Sequence, residues 1–350
     1  MTGALTPTET VSHCPYEGSA SYWIVEAGDV TLPDVVTDHD HLRWLGGSVT
    51  QLLVDSAQAG GPLAMSRAVV PAGAASHVHV HASVDEVVVL QRGSAIVWAG
   101  EERFELHTGG VAFLPRGVPH AYRILSEADL VVVQLPASGT QDVAPYVAAA
   151  HQQQAFEWID GSMMRVLLGV EHTGSRLTLL RSTAYAGSSS LVYAHDKDDE
   201  IVLLLRGGAI YWIGDRRYEL APGGVVLVPR GVPTAHRITA DAEILVINAP
   251  GGLETFFRMV CHDVSRPRPE GWRLSFDAMV KAAAATGHTI LALPAEVDRR
   301  AVPARGRRAG SGRGQRDVQA EPLRRVLGAD VASVGLHDAA HDGEPEARAG

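Results

Sequence analysis

Four residues of metal-ligand type stand at short intervals among glycines and prolines. The stretch GAASHVHVHASVDEVVVLQRG at 73–93 carries His79, His81 and Glu86. Further on, Gly109 leads into the turn PRGVP at 115–119, which is followed directly by His120. Three neutral imidazoles and one carboxylate suit a divalent first-row transition metal and leave coordination positions open. A metal so held polarises a bound oxygen, lowers the pKa of a bound hydroxyl, or brings dioxygen and substrate together. Glu86 has a second use, because a carboxylate beside the metal can act as general base on a substrate hydroxyl.

The spacing says which elements must position these groups. Residues two apart on a strand point to the same side. His79 and His81 therefore converge if their strand lines the inside of a small barrel. Glu86 returns on the adjacent strand after a tight turn, and the rigid turn through Pro115, Gly117 and Pro119 delivers His120 from a distant strand. His77 extends the row on the same face. It is a candidate substrate contact at the barrel mouth, or a ligand in place of His79 or His81. Tyr122 lies on the His120 face as a second candidate substrate contact, with barrel packing as its other reading.

The surrounding pattern is β. Short apolar runs at Val87–Leu90, Ala95–Trp98, Val111–Leu114 and Leu130–Leu135 are separated by glycine and proline, as in an all-β sandwich or barrel. Helical character is confined to Ala144–Trp158, Gly252–Cys261 and Ser275–Thr286.

The same unit occurs twice. At an offset of 114 residues, 39 of the 93 positions from 44 to 136 are identical, and PRGVP recurs at 229–233. Trp98 and Trp212 fall on one another, which marks them as core positions. The second unit keeps His195 and Glu200 at the places of His81 and Glu86. Tyr193 stands where His79 was, Thr234 replaces His120, and His236 replaces Tyr122. His195, Glu200 and His236, with Tyr193, form a candidate second, weaker metal site, and a degenerate pocket is the other reading. The exchange of His and Tyr between two positions suggests that the two are neighbours in space.

Composition excludes several classes. The chain has 350 residues, 46% hydrophobic and 20% charged. It has no apolar run of the length that spans a bilayer. Cys14 and Cys261 are the only cysteines, which excludes a disulfide scaffold and a cysteine-based zinc site and fits a reducing cytoplasm. The net charge of -10 argues against nucleic acid as partner. The first residues lack the basic flank and apolar stretch of a secretory leader, so a cytoplasmic location is expected. From Arg299 the chain turns rich in Arg, Gly and Ala, and residues 299–350 are expected to be a disordered tail.

These motifs resemble both signatures of the cupin superfamily, G-x5-H-x-H-x4-E-x6-G and G-x5-P-x-G-x2-H, with Ile124 where the second often ends in Asn. With both units the chain is similar to a bicupin. The resemblance implies tandem jelly-roll (double-stranded β-helix) barrels with a few short helices. The expected organisation is an N-terminal arm at 1–40, cupin domains at 41–143 and 144–262, a helical segment at 263–298, and the tail. LPRGVPHAYRI at 114–124 and GGLETFFRMV at 251–260 narrow the likeness to quercetin 2,3-dioxygenase-like proteins. That resemblance implies one divalent metal (Fe, Mn, Ni, Co or Cu) on His79, His81, Glu86 and His120, with Glu86 as ligand or base. It also implies dioxygen and a phenolic or enolic small molecule as reactants, and bicupins of this kind include homodimers. An oxygen-independent isomerase, cyclase or decarboxylase, or a non-catalytic binding cupin, would use the same ligands.

Overall fold

Two apolar runs of each unit, read separately in the sequence, join into single long bent strands. The computed structural model describes residues 48–55, 63–76, 78–136, 143–158, 160–214 and 216–292. In it, β1 (Val49–Val54), β2 (Ala64–Val70), β3 (Val84–Ala99), β4 (Glu102–His107), β5 (Val111–Leu114) and β6 (His120–Pro136) belong to the first unit. Strands β3 and β6 pair antiparallel along nearly their whole length, and the ladder slips between Leu90 and Ala95. Before the slip β3 lies between β6 and β5; after it, between β6 and β4. One strand thereby serves both walls of a barrel, as in a jelly roll. Gly93 permits the bend: its φ is +98°, and a Cβ there would run into the Glu127 carbonyl.

The second unit repeats the plan. It comprises β8 (Ala155–Glu157), β9 (Met163–Leu168), the short helix α1 (Val170–Thr173), β10 (Thr178–Ala184), β11 (Val192–His195), β12 (Asp199–Ile213), β13 (Arg216–Leu220), β14 (Val225–Val228) and β15 (Thr234–Ala249). Strands β12 and β15 form the long bent pair, again slipping around the left-handed Gly207.

The run Val87–Leu90 is apolar without alternation because both its faces are covered. Val88 and Leu90 point into the barrel with Tyr122, Ile124 and Val132. Val87 and Val89 point the other way and are fully buried, in one cluster with Val131, Val133, Ile201, Leu203, Leu245 and Ile247. The four residues of the second unit lie 114 positions beyond those of the first. The two barrels therefore meet through the same face of each, in a pseudo-two-fold arrangement. A buried ion pair crosses the join, Arg176 to Asp85 at 3.0 Å.

After β15 come α2 (Leu253–Val260), β16 (His262–Asp263), α3 (Phe276–Thr286) and β17 (His288–Ala292). Helix α3 is capped by the Ser275 side chain, which accepts from the Ala278 N–H, and it ends at left-handed Gly287. Both expected helices at 252–261 and 275–286 form. The helix expected over Ala144–Trp158 does not. That stretch holds β7 (Tyr146–Ala148), one 3-10 turn at Ala150–Gln152 and β8. Strand β7 adds to β5, so tertiary pairing overrides the helix-forming alanines. The segment at 263–298 holds a strand, β17, as well as its helix. Among the described residues no helix is long and apolar enough to cross a membrane. The expected arm at 1–40 and tail at 299–350 lie outside the described residues.

Candidate metal centre

In the first barrel the four expected ligands converge. His79 and His120 face each other across a β-bridge closed by both backbone hydrogen bonds, at 3.0 and 2.9 Å. Their ring centroids are 4.2 Å apart, and that of His81 lies 5.2 Å from each. Glu86, on β3, presents Oε2 to His81 Nε2 at 3.3 Å and Oε1 to His120 Nε2 at 3.7 Å. One ligand atom from each residue lies within 4.8 Å of the others. The turn that carries His120 is pinned at both ends: Gly117 N–H donates to the His81 carbonyl, and Arg116 N–H to Asp85 Oδ1. His120 and Glu86 are buried, while His79 and His81 are half-buried and form the approach side.

Outer contacts orient the ligands. His120 Nδ1 donates to the Val118 carbonyl at 2.8 Å, which leaves a lone pair on Nε2. That nitrogen and His81 Nε2 are buried without a hydrogen-bond partner. Two imidazole nitrogens and a carboxylate aimed at one point fit a divalent cation. Glu86 accepts from the Tyr122 hydroxyl at 2.6 Å and from Gln134 Nε2 at 3.2 Å. Burial disfavours its charge, but His81, His120 and the Tyr122 hydroxyl together hold its carboxyl well below the usual range. Burial pushes His120 down to about 4, against the pull of Glu86. For His81 the same burial is outweighed by Glu86, and its pKa rises. Tyr122 is raised well above 10 by burial and the Glu86 charge, so it stays a donor. His77 lies outside the described residues.

The second barrel keeps the carboxylate and rebuilds its surroundings. Glu200 Oε1 accepts from the Tyr193 hydroxyl at 3.0 Å, and Oε2 lies 3.1 Å from His195 Nε2. Thr234 bonds the Val232 carbonyl, as His120 bonds that of Val118. Tyr193, His195, Glu200 and His236 all line one cavity of about 160 Å³, so Tyr193 and His236 face the same side of the barrel. Among the described residues His236 does not join a ligand cluster, however. The group at metal-ligand spacing is His195, Asp198 and His288. Two carboxylates, Glu200 and Asp198, outweigh burial and raise His195 to about 10, whereas burial lowers His236 and His288.

A family model described as a cupin domain matches the chain twice, at residues 66–135 and 182–248. The chain carries two cupin domains. A second model, described as a domain of unknown function (DUF427), matches residues 1–42, outside the described residues. An uncharacterized protein of Methanocaldococcus jannaschii is 21% identical over 108 residues, 30% of this chain and 86% of that protein. Among solved structures, oxalate decarboxylase of Lactobacillus farciminis in a formate complex matches with TM-score 0.51 and 12% identity. That match covers 59% of this chain and 82% of that one. The Escherichia coli protein Ylba matches with TM-score 0.50 and 9% identity, over 59% and 85%.

Both cupin domains contain site residues that spacing rules alone do not find. Gln134 and Asn248 are polar residues at equivalent places in apolar strands. Gln134 reaches Glu86, and Asn248 Nδ2 reaches Asp198 Oδ2 at 2.7 Å. A lone amide inside LVVVQLP and again inside ILVINAP was the available signal. Asp198 stands two residues before Glu200, where the first domain has Val84. His288 comes from β17, outside the repeat. Trp98 and Trp212 are half-buried, and Trp212 packs on Val192 and Ala235.

Proposed function

We propose that the first cupin domain is the centre of a metal-dependent dioxygenase of the quercetin 2,3-dioxygenase type, which oxidatively cleaves a small phenolic or enolic molecule. The observation that carries this reading is the convergence of His79, His81, Glu86 and His120 with two buried, unpartnered imidazole nitrogens. These four residues would hold one divalent transition metal, which supplies Lewis acidity and a meeting point for substrate and dioxygen. The protein's own groups do the rest. Val118 fixes the His120 tautomer. Tyr122 and Gln134 hold the Glu86 carboxylate in one orientation, with Oε2 toward His81. A substrate hydroxyl entering on the half-buried His79 and His81 side meets Oε2 as its proton acceptor. Uptake of dioxygen by the metal-loaded protein with a flavonol or another enolic compound tests the reading, and Glu86→Gln should abolish it.

A second reading uses the same ligands without oxygen. The fold is shared with a protein described as an oxalate decarboxylase. Release of carbon dioxide from oxalate or a related small acid, with no oxygen consumed, would assign decarboxylation instead.

A further inference from the structure

In the second cupin domain, strand β17 lies antiparallel beside β11 with His288 directly opposite His195. Directly opposed residues of an antiparallel pair project to the same face, and the two rings sit 4.8 Å apart at their centroids. Asp198 lies between them: Oδ2 is 2.9 Å from His195 Nδ1, and Oδ1 is 3.6 Å from His288 Nε2. All three side chains are buried, with residue exposures of 1%, 5% and 6% for His195, Asp198 and His288. His288 Nε2 makes no hydrogen bond, whereas His195 Nδ1 stands at hydrogen-bond distance from Asp198.

The outer contacts decide where the ring protons go. Thr286 Oγ1 donates its proton to the Ala282 carbonyl at 2.8 Å, so at 2.9 Å it accepts from His288 Nδ1. The Nε2 of His288 then carries a lone pair that faces a carboxylate oxygen. Two lone pairs held together in a buried place call for a cation between them. On the other ring, His195 Nε2 donates to Glu200 Oε2, so Nδ1 is the nitrogen on which a metal would replace the proton shared with Asp198. Asp198 is itself steadied by Asn248. Each of the three groups thus has the outer partner that metal ligands characteristically have. The charge also balances, because one dication offsets the two buried carboxylates Asp198 and Glu200.

We infer that the second cupin domain holds its own divalent transition metal on His195 Nδ1, Asp198 and His288 Nε2. The site is displaced from the position that the first domain's ligands occupy. It uses the opposite nitrogen of the one shared histidine, and it borrows a ligand from β17, beyond the repeat. Glu200, the counterpart of Glu86, serves there as an outer carboxylate. Two imidazoles and one carboxylate leave positions open. His195 and His288 also form part of the wall of the 160 Å³ cavity, whose other walls include Trp158, Phe256 and Phe257. A small, largely apolar molecule with one donor atom is the class of ligand such a site takes.

Cobalt(II) loading of the chelator-stripped full-length protein tests this without reference to any catalytic activity. Bound cobalt is counted by elemental analysis and followed by its visible absorption. The expected result is two cobalt ions per chain in the wild type and one each in His120→Ala and His288→Ala, with different spectra. The double variant should bind none, and His236→Ala should keep two. Asp198→Asn should lose the same ion as His288→Ala, and it serves if circular dichroism shows the latter unfolded. The inference is overturned if His120→Ala binds no cobalt, or if Asp198→Asn and folded His288→Ala both keep two ions. It is equally overturned if His236→Ala loses the second domain's ion while folded His288→Ala keeps it.

Discussion

The two cupin domains solve one problem with opposite strands. In each, a buried glutamate accepts a hydrogen bond from a tyrosine hydroxyl on Oε1, and a histidine lies against Oε2. In the first domain the phenol comes from β6, at Tyr122; in the second it comes from β11, at Tyr193. The imidazole vacated on one strand reappears on the other, as His79 and as His236. The barrel therefore conserves the carboxylate and its donor, while the number and direction of the imidazoles vary. In the first domain four side chains of metal-ligand type meet on one another. In the second, one buried histidine also reaches Asp198 and faces β17, a strand with no counterpart among the described residues of the first domain.

The sharpest way to break this contrast is His120→Ala. It should remove the first domain's metal, weakening affinity by more than about 100-fold, since even an outer-sphere partner is worth about 10- to 100-fold. Turnover should disappear with it, and the second domain should be untouched. Metal content and activity that both match the wild type would remove the basis for calling the first domain the centre.

The next largest effect is a contrast in pH dependence, read on metal-stripped protein. His120 is depressed from 6.5 to about 4. Between those values the unfolded chain binds its proton and the folded one does not, so the His120 contribution is present above 6.5 and lost as pH falls toward 4. His195 is raised from 6.5 to about 10. Between those values the folded chain holds the extra proton, so its contribution is present below 6.5 and lost as pH rises through 10. Urea unfolding of His120→Gln and His195→Gln against wild type across pH should show differences of opposite slope. Slopes of the same sign would mean that the two histidines sit in like environments.

Much of this contrast was legible in the sequence, because a repeat without gaps at an offset of 114 residues lets each candidate ligand of one domain be read against its counterpart. The repeat also explains what was missed. His288 has no counterpart, and only the pairing of β17 with β11 places it opposite His195. Asp198 stands where the first domain has Val84, so a comparison keyed to the first domain's ligands passes over it. The alanine-rich stretch around Tyr146 reads as helix by propensity, yet the free side of β5 captures it as a strand. The joint between the barrels was visible only as unbroken apolar runs, which do not say what covers their second face.

Tyr122→Phe and Tyr193→Phe sharpen the contrast at smaller cost. Each removes a hydrogen bond to a buried carboxylate, worth about 1.5–3 kcal/mol. If the two phenols are equivalent, the two losses should agree. The exchange Tyr193→His with His236→Tyr should rebuild the first domain's arrangement in the second, costing less than the sum of its single changes by about 0.5–3 kcal/mol in a double-mutant cycle. Strict additivity would show that the two positions do not share Glu200.

The smallest effect tests the symmetry of the joint. Ile247 sits where the first domain has Val133, both in the cluster between the barrels. Ile247→Val makes the two faces identical at this pair and removes one buried methylene. If the cluster is packed to fit unequal partners, the change leaves a gap and costs about 0.5–1.5 kcal/mol, measured by urea unfolding. A stabilising result would mean that Val133 and Ile247 crowd one another. The reciprocal Val133→Ile should then be the costly change, since overpacking a closed core forces side chains off their rotamers.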